Sequence, residues 1–146
     1  MSGAHTQIAY VTIAINALAA LIGAVSWLVH RNPKAFWWTL RTGQTLVMLE
    51  AVIGATLLLT GHDLPRLHLI YGLTPIVVSF LAEQLRLVTT PTFLERRGLE
   101  GGDDVRKLPE DEQRALVAAI LHRELAIMAT SAFVVATLTA RAAELL

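Results

Sequence analysis

Residues 8–29 read IAYVTIAINALAALIGAVSWLV, 22 positions without a charge. A helix needs about 20 apolar residues to cross the hydrocarbon of a bilayer, so the run predicts a first span over about 8–30. RNPK breaks it. A second span follows over about 36–60, with Glu50 its only acid. GHDLP is a turn in which Gly61 can cap one helix and Pro65 can open the next. A third span covers 66–88, RLHLIYGLTPIVVSFLAEQLRLV. Residues 89–113 are polar and rich in Gly and Pro and read as a loop. The fourth span lies at 120–143. Its helix should start earlier, near Pro109, because Pro109 suits a first turn and Glu110, Asp111 and Glu112 suit the positive end of the helix dipole. Such a helix is about 50 Å long at 1.5 Å per residue, more than the roughly 30 Å hydrocarbon. Its first turns should therefore project from the membrane. The fold class is all-α: one transmembrane domain, a four-helix bundle with a long fourth helix.

Within the spans, small and polar residues recur at helical spacing. The first carries Ala9, Thr12, Asn16, Ala19, Gly23 and Ser26; the second Gly43, Glu50 and Gly54. The third carries His68, Gly72, Pro75, Ser79, Ala82 and Arg86, and the fourth Ala118, His122, Ala126, Ala129, Ala132 and Ala136. Small residues let membrane helices approach closely, since packing drives their association in lipid. These stripes predict the buried faces of a tight bundle. No internal repeat relates the two halves, so an inverted-repeat transporter lacks support.

Composition agrees. The chain is 54% hydrophobic and 16% charged, with mean hydropathy +0.54, against about 25% charged in soluble domains. It has no cysteine, which removes disulfides, thiol catalysis and thiolate metal sites. Its net charge of zero gives no attraction to nucleic acid. MSGAHTQ, before the first span, lacks the basic stretch of a cleaved signal peptide. Ten of the twelve basic residues fall on the side of the 31–36 and 89–113 loops, leaving Arg66 and Arg141 on the other. The positive-inside rule then expects both loops in the cytoplasm, both termini outside, and a cell (inner) membrane location. Trp27, Trp37 and Trp38 fall at the same cytoplasmic boundary, as an aromatic belt would.

Glu50 is the sharpest candidate for function. A charge at the membrane midplane costs about 2.5–3.5 kcal/mol on insertion scales, so such a residue is protonated, paired or beside water, and often functional. Asn16, Tyr71 and His68 are its expected neighbours in depth, with Tyr71 or Asn16 its expected hydrogen-bond partner. A second polar cluster is expected at the cytoplasmic end from Arg41, Gln44, Glu83, Arg86, His122, Arg123 and Glu124, pairing Arg41 with Glu83 and Arg86 with Glu124. Haem b would need two inward histidines at similar depth. His30 with His122, or His68 with His5 or His62, are the pairs the sequence offers, without diagnostic spacing. No metal site is expected, and GLEGG at 98–102 is no phosphate cradle, since no strand precedes it.

These features describe a small polytopic membrane protein without a catalytic site or cofactor of its own. The expected partners are the lipid bilayer and either further copies of the chain or other membrane subunits. The alternatives are a haem b redox protein and a small proton- or ion-conducting oligomer using Glu50.

Overall fold

The computed structural model describes residues 3–63 and 65–144. They form α1 (Gly3–Leu28), α2 (Lys34–Leu59), α3 (Arg66–Leu87), α4 (Thr89–Glu95), α5 (Gly102–Lys107) and α6 (Glu110–Glu144), with no strand among them. Four of these segments, α1, α2, α3 running on into α4, and α6, are long and apolar enough to cross a membrane. One end of the bundle carries residues 29–33 and the 88–109 segment; it is called the loop end here. The other, the termini end, carries Gly3, residues 60–63 and Glu144.

The axis of the bundle is α6, which packs along α1 on one side and α3 on the other. Helix α2 lies against α1 and barely meets α3. Half of the most apolar stretch of α6 is buried but only 11% of that of α2, so α2 is the peripheral helix. The α1 stripe is the reason α6 can come close. Ala9, Thr12, Asn16, Ala19 and Ser26 are all buried. A methyl group on Gly23 would lie 2.6 Å from both Ala129 and Phe36. On α6, Ala129, Ala132 and Ala136 are buried as the spacing predicts, whereas Ala118 of the same stripe is exposed. On α3, so are His68, Pro75 and Ala82.

The apolar core is concentrated toward the loop end, where Phe36 and Leu40 of α2 are enclosed by Ala19, Ala20, Ala82, Leu125 and Met128. The outward faces are apolar as well: Trp38 is 75% and Leu59 87% exposed.

Three helix ends share one device. α1 closes with His30 at φ 53°, α2 with Gly61 at φ 86°, and the turn after α4 with Gly98 at φ 67°. In each, that residue and the next donate their N–H groups back to carbonyls of the last helical turn, the Schellman arrangement. Gly61 is the cap the sequence predicts. His30 is the exception, a side-chain-bearing residue in the left-handed region.

Residues 89–113 differ from the loop expected of them. Val88 keeps helical backbone angles, so α4 follows α3 almost without a break; Pro91 falls within its first turn, where a missing N–H costs nothing. In α5, Asp103 and Asp104 open the helix and Arg106 and Lys107 close it, matching its dipole at both ends. The pairs Asp103–Arg106 and Asp104–Lys107 link them at 3.1 and 2.8 Å. As predicted, α6 starts at Glu110 and runs 35 residues. Leu116 and Ile120 of its first turns are buried where α6 passes α4.

Candidate functional site

Toward the termini end, α2 and α3 part and leave a cavity of about 150 Å³ between them. Glu50, Ala51 and Gly54 of α2 line one wall, and His68, Gly72 and Pro75 of α3 the other. His5 and Ala9 of α1 and Thr139 and Ala142 of α6 form the back. Small residues make the space: a methyl group added to Gly54 or Gly72 would meet nothing within 4 Å. Pro75 has no N–H to give the Tyr71 carbonyl, which weakens α3 alongside the cavity.

Two buried polar atoms here lack a hydrogen-bond partner, Glu50 Oε1 and His5 Nδ1. They are the only such side-chain atoms among the described residues. An orphaned buried polar group costs about 1–3 kcal/mol, so this pair is the most conspicuous unspent chemistry in the fold. His68 stands beside them, its ring edge-on to His5 with centroids 6.1 Å apart. His68 Nδ1 lies 3.1 Å from the Ala142 carbonyl oxygen. A carbonyl only accepts, so Nδ1 carries the proton, and in the neutral ring Nε2 is left as an acceptor.

Neither expected partner reaches Glu50. Asn16 donates from Nδ2 to the Thr12 carbonyl at 2.9 Å and packs against Gly43, whose Cβ position is 2.7 Å from Asn16 Oδ1. That contact is two helical turns from Glu50 along α2. Tyr71 turns toward Arg141 on α6. Thr12 is the polar side chain that lies beside the Glu50 carboxyl, and its hydroxyl is already given to the Ile8 carbonyl at 2.9 Å. Of the residues singled out in the sequence, the structure therefore brings Glu50 and His68 together and leaves Tyr71 and Asn16 outside the cavity. His5 joins the site because α1 begins at Gly3, before the apolar run that marked it.

The loop-end cluster assembles largely as expected. Arg41 pairs with Glu83, and Gln44 Nε2 donates to the same carboxylate at 3.1 Å. Arg86 donates to Glu83 at 3.0 Å and approaches Glu124 at 3.7 Å. Its guanidinium sits 5.7 Å over the Trp37 ring. The network ties α2, α3 and α6 together at their loop ends. Arg123 is exposed and outside it.

His122 belongs to a different arrangement. Its ring stacks on Trp27 at 5.2 Å and on His30 at 4.7 Å, the two imidazoles within 5° of parallel. Imidazole lone pairs lie in the ring plane, so rings stacked face to face cannot both aim at one iron between them. Nor does the His5–His68 pair make a haem site, because a cavity of this volume matches a single benzene-sized ring, not a porphyrin. Among the described residues, no three His, Cys, Asp or Glu side chains converge as a metal site would require. A larger groove of about 860 Å³ between α1 and α6 is lined mainly by alanines, and its Thr130 and Thr137 hydroxyls are spent on their own helix.

No family model, curated protein or solved structure matches the chain.

Proposed function

We propose that this chain is a four-span membrane protein that binds a small lipophilic molecule in the seam between α2 and α3, with no catalytic chemistry of its own. It acts as a binding component, as a homo-oligomer or within a larger membrane assembly. The observation that carries this reading is the coincidence of an apolar cavity with two orphaned polar atoms, Glu50 Oε1 and His5 Nδ1. Apolar walls with a few convergent polar groups are the usual make-up of a ligand site. The ten-to-two distribution of basic residues supports a cytoplasmic loop end, an inner-membrane location and a cavity facing the outer half of the bilayer. The apolar exterior of the bundle supports lipid as its solvent, since large exposed apolar surfaces mark membrane or protein contacts.

Thermal unfolding of the detergent-purified protein with toluene tests the reading. Toluene should raise the unfolding midpoint of the wild type, and Gly54→Leu, which fills the space from the α2 wall, should abolish the rise. A wild type indifferent to toluene, or an equal rise in Gly54→Leu, contradicts a ligand cavity in this seam.

A further inference from the structure

We infer that the ligand of this cavity is a lipophilic primary ammonium, with its charged head against Glu50 and an apolar body of about one six-membered ring. This rests on the proposed binding function and narrows it to a chemical class.

The site lacks a counter-charge. Glu50 Oε1 is buried without a partner, and no Lys or Arg lines the cavity. At the termini end Arg141 is paired with Glu144, and Arg66 is exposed at the start of α3 and does not line the cavity. The two histidines that line the cavity offer hydrogen-bond acceptors in their neutral forms. His68 keeps its proton on Nδ1 for Ala142, which leaves Nε2 to accept, and His5 Nδ1 is unpartnered and accepts when the proton sits on Nε2. A primary ammonium carries three N–H donors and no acceptor. One carboxylate and two imidazole nitrogens are its complement in number and sign. An anion would instead meet the Glu50 charge without compensation.

Size and access point the same way. A cavity of about 150 Å³ is the volume in which a buried apolar site accepts benzene. The helices on its open side hardly touch, so a lipophile dissolved in the bilayer reaches it between α2 and α3 without crossing the packed core.

Benzylamine, cationic at neutral pH, and toluene, its neutral apolar counterpart, separate the two levels of the argument. Each is titrated by ligand-observed NMR into wild type and Glu50→Gln in the same detergent, with empty micelles as the blank. The wild type should bind benzylamine about tenfold more tightly than toluene, the scale of one charge-assisted contact. Glu50→Gln, which keeps the shape of the side chain, should remove that preference, so that the variant binds benzylamine no more tightly than toluene. Toluene binding with benzylamine no tighter, or benzylamine binding equally in both proteins, overturns the ammonium assignment alone. If neither compound binds the wild type, the binding function falls with it.

Discussion

Arg41 of α2 and Glu83 of α3 form an ion pair across the seam at its loop end, while nine residues along α2 Glu50 faces open space between the same two helices. About 13 Å of helix separates a joined end from a parted one. The pair is supported by Gln44 and Arg86, which bind the same carboxylate. Its side chains are 44% and 23% exposed, so solvent screens it. A double-mutant cycle with Arg41→Gln and Glu83→Gln should give a coupling of about 1 kcal/mol, the upper end for exposed pairs held in a network. Reversible unfolding in detergent measures it. Additive single substitutions would show that the ion pair does not join the helices.

Two glycines should respond in opposite ways. A methyl group at Gly23 would press on Ala129 and Phe36 at 2.6 Å, so Gly23→Ala should cost about 1–3 kcal/mol, as overpacking does. Gly54 has open space around it, and Gly54→Ala should be neutral or gain up to about 1 kcal/mol from helix propensity. Thermal melting of the two variants checks the contrast. Equal losses would mean that α2 also packs closely at Gly54.

Orientation is tested with fusions at the C-terminus. Alkaline phosphatase should be active there and green fluorescent protein dark. The reverse would place the cavity in the cytoplasmic half of the membrane.

The α5 helix should loosen in acid. Hydrogen bonds from Lys107, at 2.8 Å, and from the Glu100 amide, at 3.1 Å, hold the Asp104 carboxyl below its ordinary value of 3.8. A carboxyl with a depressed folded pKa adds stability above its unfolded pKa and loses it as the pH falls through the folded one. Exchange of the α5 amides, corrected for intrinsic rate, should therefore accelerate below about pH 4. Asp104→Asn should exchange faster than wild type at neutral pH and lose that acid dependence. Unchanged protection in acid would mean that Asp104 does not hold α5.

Much of this architecture is written locally. The uncharged run at 8–29 marks α1, although the helix begins earlier, at Gly3; the acidic start of α6 sets a helix whose length the structure keeps, and the small stripe on α1 buries itself because only small residues admit α6 so closely. The Arg41–Glu83 and Arg86–Glu124 pairs follow from depth along the helices. The cavity does not, because it comes from the divergence of α2 from α3, and a periodic pattern fixes which face of a helix turns inward but not how far away its neighbour stands. Gly54 illustrates this: at the same spacing as Gly43, which meets Asn16 at 2.7 Å, it meets nothing. The local charges of α5 were legible, but the Gly and Pro around them outweighed that signal.

Diffraction from xenon-pressurised crystals is the most direct measurement of the central claim. Xenon occupies apolar cavities of this size and reports its own position. An anomalous peak is expected between Gly54 and Gly72, with the Glu50 side chain turned toward it. A closed seam, with Glu50 on the lipid-facing surface and xenon only in the α1–α6 groove, would contradict it.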